Sequence, residues 1–141
     1  MRVLSLLAIV VLAAGAGCGS EADSDAEPGT VEQPSTELEI AFWSQGKTSE
    51  SGETWTLTCD PAGGTHPDPE DACRQLAAID DPFAPPPTDE MCTEQYGGPE
   101  QAMITGTYRG APVSYPLSRT NGCEIGRWEN LRFLLPSGGN A

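Results

Sequence analysis

LTCDPAGGTHPDPEDACRQLAAI, residues Leu57 to Ile79, decides how this chain folds. Its first residues end an alternating run, TWTLTC. Trp55, Leu57 and Cys59 fall on one side and three threonines on the other, the period-two mark of a half-buried strand. DPAGGTHPDP is turn chemistry throughout. The period then changes. Asp68 can cap a helix, Pro69 suits its first turn, and Asp71 stands at the positive end of its dipole. Ala72, Cys73, Leu76 and Ile79 form an apolar stripe at helical spacing. A strand, a turn and a helix thus follow one another, with a cysteine on the strand and another on the helix.

Upstream, ELEIAFW alternates in the same way: Leu38, Ile40 and Phe42 face one side, Glu37 and Glu39 the other. Downstream, DDPFAPPPTDE breaks any regular structure. QAMITGTYRGAPVSYPL reads as a hairpin turning near Arg109–Gly110, with Ile104 and Tyr108 in one arm and Val113, Tyr115 and Leu117 in the other. NGCEIGRWEN reads as a turn with a short helical piece, and LRFLLP as a closing strand. The expected fold is α+β, an antiparallel sheet of about five strands with one main helix.

The domain is expected over residues 38–141. Residues 1–17 read as an export signal: Arg2, then an apolar run from Val3 to Ala14, too short to span a bilayer, then small residues up to Cys18. Small residues directly before a lone cysteine resemble a bacterial lipobox, in which Cys18 would be lipidated and hold the protein on the outer face of the cell membrane. Gly15 departs from the usual leucine there. Residues 18–37 contain six acids, no base and no aromatic residue. Such a stretch cannot bury enough apolar area to offset the entropy of ordering, so it reads as a flexible tether.

Seven basic residues face 21 acidic ones, a net charge of −14. Nucleic acid is thereby excluded as a partner, since phosphate binding needs clustered Lys and Arg. Catalysis of the Ser–His–Asp or Cys–His kind would have to use His66, the only histidine, which sits in a proline-flanked turn and reads as a residue bonding its own loop. No CxxC pair exists to hold a metal, and the adjacent acids of DPEDA read as a solvated face. No cofactor is implied, and the chain is not expected to be an enzyme. Without Cys18, the four cysteines Cys59, Cys73, Cys92 and Cys123 form an even set that reads as two disulfides, with three connectivities open.

One stretch has no structural explanation. MCTEQYGGP, Met91 to Pro99, places a cysteine directly before polar residues that can build no core. Stiffening an exposed segment lowers the ordering entropy lost on docking, which suits a peptide meant for another protein's groove.

Taken together, LTCDPAGGTHPDPEDACRQLAAI, MCTEQYGGP and YRGAPVSYPLSRTNGCEI resemble the subtilisin inhibitor-like family of secreted serine-protease inhibitors. The resemblance implies a five-stranded antiparallel sheet with two helices and a homodimer joined through sheet faces. It pairs Cys59 with Cys73 and Cys92 with Cys123. It also implies a reactive site at the Glu94–Gln95 bond, with Glu94 entering the protease's primary pocket. Cys92 and Thr93 would precede it in the reactive loop and Tyr96 would follow. The partner implied is a secreted or cell-surface serine protease. Three features depart from the family: glutamate at position 94, threonine at 93, and GGP where the family has a shorter turn. The three tryptophans, Trp43, Trp55 and Trp128, leave two uses open, internal packing or a sheet-face interface.

Overall fold

The computed structural model describes residues 35–48 and 51–136. The expected export signal, Cys18 and most of the expected tether lie outside them.

Four strands form one antiparallel sheet: β1 (Thr36–Trp43), β2 (Glu53–Cys59), β3 (Gln101–Tyr108) and β4 (Ala111–Ser118), in the order β2-β1-β3-β4. β1 starts earlier than expected. Thr36, assigned to the tether, and Glu37, counted in both the tether and the alternating run, belong to the sheet, because Thr36 continues the inward alternation of Leu38, Ile40 and Phe42 and its Oγ1 accepts the Arg109 N–H at 3.2 Å. The β3–β4 hairpin turns at Arg109 and Gly110, which both have positive φ (48° and 81°). That pairing matches the twist of the flanking strands.

Helix α1 (Pro69–Ala78) is capped by Asp68, whose Oδ1 accepts the Asp71 N–H at 3.1 Å. Helix α2 (Gly122–Asn130) is capped by Asn121, whose Oδ1 accepts the Glu124 N–H at 2.9 Å. The closing LRFLLP is not a strand. Arg132–Leu134 make a 3-10 turn, and among the described residues the sheet has four strands rather than five. The reason lies in the spacing: Leu131, Leu134 and Leu135 are the buried residues, at i, i+3 and i+4, so the run buries a helical stripe instead of an alternating face.

One sheet face carries Leu38, Ile40, Phe42, Leu57, Ala102, Ile104, Tyr115 and Leu117, all buried. Against it lie Ala72 and Leu76 of α1, Trp128 of α2, and the leucines of the 3-10 turn. Each fully buried Leu or Ile contributes about 1.5–3 kcal/mol relative to exposure. Phe42 meets Trp55 and Trp128 with ring centres 6.4 and 6.2 Å apart, so both of these tryptophans serve the interior. Trp43 is on the opposite, open face with the Lys47 ammonium 5.4 Å above its ring. The cysteines join as Cys59–Cys73, which ties β2 to α1, and Cys92–Cys123.

Candidate functional site

Between α1 and β3 the chain makes neither helix nor strand from Asp80 to Glu100. Prolines at 82, 85, 86 and 87 withhold the N–H groups that either would need. The first part of this segment is pinned: Phe83 packs edge-on against Tyr108 and Tyr115, with ring centres 5.4 and 5.8 Å apart. The second part is Met91–Pro99. Met91 and Tyr96 are the exposed large hydrophobic residues of the described fold, at 97% and 66% exposure. Thr93, Glu94 and Gln95 are exposed as well.

Exposure here does not mean looseness, because the segment is fastened to residues 119–127 on both sides of Glu94. Upstream, Cys92 is bonded to Cys123. The Thr93 carbonyl accepts the Gly122 N–H at 3.0 Å. Arg127 reaches Glu90 at 2.7 Å and Glu124 at 2.5 Å. Hydrogen bonds to the Glu124 and Glu90 carboxylates lift the Arg127 pKa above its already high ordinary value, against the opposing effect of burial. Downstream, Gly97 donates its N–H to the Arg119 carbonyl at 2.7 Å. The Arg119 guanidinium meets Glu100 at 3.0 Å, with both side chains only about 15% exposed (14% and 15%). Glu94, Gln95 and Tyr96 span the gap between the Thr93 and Gly97 anchors, and none of their side chains has a hydrogen-bond partner among the described residues.

The other candidate chemistries fare differently. His66 is buried, and its Nδ1 accepts the Asp68 N–H at 3.1 Å, the bond to its own turn that its sequence setting implies. Glu90, Cys92 and Cys123 place ligand-type atoms within 4.8 Å of one another, but both sulfurs belong to a disulfide and offer no thiolate to a metal. Among the described residues no helix is long and apolar enough to cross a membrane. The arrangement around Glu94 holds a backbone still and points side chains outward. Among the described residues it brings no nucleophile–base pair together.

The anchoring ion pairs leave no mark in the local sequence. Arg127–Glu90 and Arg119–Glu100 join residues 37 and 19 apart, with no local pattern to announce them. Asn121 was findable, since an Asn directly before a helical piece is a cap signal.

The profile of the subtilisin inhibitor-like family matches residues 34–121. A subtilase-type protease inhibitor of Streptomyces coelicolor is 35% identical over 114 residues, covering 78% of this chain and 76% of its own length. Subtilisin inhibitor-like protein 5 of Streptomyces fradiae is 34% identical over 91 residues, covering 62% and 84%. A solved structure of Streptomyces caespitosus sermetstatin in complex with Bacillus licheniformis subtilisin covers 71% of this chain and 94% of its own, at 25% identity and a TM-score of 0.44. The profile match and the length of the shared identity place the chain in a family: it belongs to the subtilisin inhibitor-like proteins.

Proposed function

We propose that this protein inhibits a serine protease by presenting Met91–Gly97 as a preformed substrate, with Glu94–Gln95 as the bond offered. The observation that carries this reading is the pair of backbone anchors, Thr93 to Gly122 and Gly97 to Arg119, on either side of an exposed Glu94. A segment already fixed before binding loses little conformational entropy when it docks. The names of the relatives, which are protease inhibitors, support the same reading.

Glu94 sets the target. A carboxylate buried unpaired in an apolar primary pocket is strongly unfavourable. A protease whose pocket offers cationic or hydrogen-bonding partners to a glutamate is therefore the preferred partner, and subtilisin itself a poor one. The same residue motivates a second reading, a binding module that keeps the inhibitor fold without inhibiting. The apolar leader and the small residues before Cys18 support a location outside the cell for either version, with Cys18 as the site of a lipid anchor. The open sheet face with Trp43 is the surface for a homodimer.

The deciding experiment incubates Gly19–Ala141 with subtilisin, trypsin and a glutamyl endopeptidase. A tight one-to-one complex with the last, and slow nicking after Glu94, is the expected result. Rapid digestion, or no complex with any of the three, leaves the binding-module reading.

A further inference from the structure

Cutting the Glu94–Gln95 bond would divide the anchors unequally. The upstream half keeps a covalent bond, Cys92–Cys123, together with the Thr93 hydrogen bond and the Glu90–Arg127 pair. Before β3 begins, the downstream half has two polar anchors among the described residues that both lead to Arg119, while Gly97 also lies against the Ile125 side chain. Arg119 accepts the Gly97 N–H through its carbonyl and grips Glu100 through its guanidinium.

We propose that the Arg119–Glu100 pair is the retaining clamp of this inhibitor, the positioning element that keeps the freed amine of Gln95 within reach of the Glu94 acyl group. The proposal rests on the inhibitor reading.

In the acylation step the protease serine oxygen attacks the Glu94 carbonyl carbon and its proton passes to the enzyme's base. The C–N bond breaks, and the Gln95 nitrogen leaves with that proton as a neutral amine. The step reverses when the amine's lone pair attacks the acyl carbon, gives a proton back to the base, and expels the serine oxygen, which takes that proton. If water attacks instead, Glu94 leaves as a carboxylate and the enzyme goes free. A tethered, oriented amine competes at a very high effective concentration, and that advantage vanishes once the amine can swing away. Gly97 lies two residues from Gln95, so whatever fixes Gly97 decides how far the amine can move.

The pair is built for placement more than for stability. Arg119 Nε and Glu100 Oε2 are buried with no hydrogen-bond partner among the described residues. A buried ion pair left partly unsatisfied is a poor stabiliser compared with an apolar pair of similar volume. Its directional geometry, with the guanidinium 6.0 Å over the Trp128 ring, fixes where residue 100 and the turn before it must lie.

The test uses Gly19–Ala141 and glutamyl endopeptidase. Glu100→Gln keeps the side chain's size and removes its charge, and should release free enzyme about tenfold faster or more, as a misplaced reacting group does. The double variant Arg119→Leu/Glu100→Leu should be as stable as the parent yet lose retention in the same way. Arg132→Gln, which breaks an exposed pair with Glu129, should behave like the parent. Amide exchange at Gly97 provides a readout independent of inhibition: slow in the parent, and about tenfold faster in Glu100→Gln, since the bond to Arg119 opens more often. If both altered proteins release enzyme at the parental rate and keep the Gly97 amide protected, the clamp is refuted. If the parent inhibits no protease, the inhibitor reading fails on its own account. The exchange rates then still decide whether Arg119 and Glu100 hold the segment.

Discussion

Gly122 donates its N–H to the Thr93 carbonyl at 3.0 Å, and the two residues approach so closely that a Cβ on Gly122 would stand 2.1 Å from Thr93 Oγ1. Gly122 is the first residue of α2, so the helix start and the exposed segment share one contact. Gly122→Ala should force the threonine hydroxyl away and destabilise the domain by about 0.5–1.5 kcal/mol, the cost of pushing one side chain off its rotamer. In a Thr93→Ala background the obstructing oxygen is gone. There the same change should be neutral or slightly stabilising, because Ala favours helix over Gly by up to about 1 kcal/mol. Denaturant unfolding of the four proteins measures the coupling directly. Additive effects would mean that Thr93 and Gly122 do not meet as described.

The two disulfides close spans of 14 and 31 residues. Each is worth about 3–4 kcal/mol in the chain-entropy model. Replacing either pair by serines should lower the unfolding midpoint comparably. Their effects on inhibition should differ. Loss of Cys92–Cys123 frees the residue two before Glu94 and should turn the inhibitor into a substrate, whereas loss of Cys59–Cys73 leaves every anchor of Met91–Gly97 in place. Inhibition constants measured well below the midpoint of the weakened proteins separate the two cases.

Changing only residue 94 tests the assigned register. Glu94→Met should gain affinity for subtilisin, and Glu94→Lys for trypsin, by about 2–4 kcal/mol, the scale of removing an unpaired buried charge. Both should lose affinity for a glutamyl endopeptidase. Titration of each enzyme with the three proteins gives the matrix. If neither change produces a gain, the segment is held in a shape those enzymes do not accept, and charge is not the obstacle.

What could be read from sequence was local. Asp68 before Pro69, the Arg109–Gly110 turn and the alternation of β1 each declare themselves within a few residues, and each stands in the structure where expected. LRFLLP misled because a short apolar run fits a strand or a helical turn equally well, and only the packing of Leu131, Leu134 and Leu135 chooses. The segment around Glu94 was legible as exposed and disulfide-linked. Its fastening was not. Arg119, Glu100, Arg127 and Glu90 look like ordinary surface charges until folding brings β4 and α2 beneath the loop.

Tyr115 gives the fold a defined response to alkali. It is 9% exposed, at the join of β4, Phe83 and the proline-rich stretch. Burial raises the phenol's pKa above the ordinary 10.0; Arg127 opposes this, while Glu124, Glu90 and Asp81 reinforce it. In the folded chain the phenol therefore keeps its proton to a higher pH than in the unfolded chain. Well below pH 10 both states hold the proton and Tyr115 adds no slope. As pH rises from the unfolded value toward the raised folded one, the folded state binds more protons, so stability falls. Denaturant unfolding between pH 8 and pH 11.5 should show this loss setting in as pH approaches 10 and steepening beyond it, as the Tyr115 phenol of the unfolded chain ionises. Tyr115→Phe retains the ring contact with Phe83 and removes the titrating group, so its curve should be flatter over the same interval. A variant as steep as the parent would place the alkaline sensitivity elsewhere in the fold.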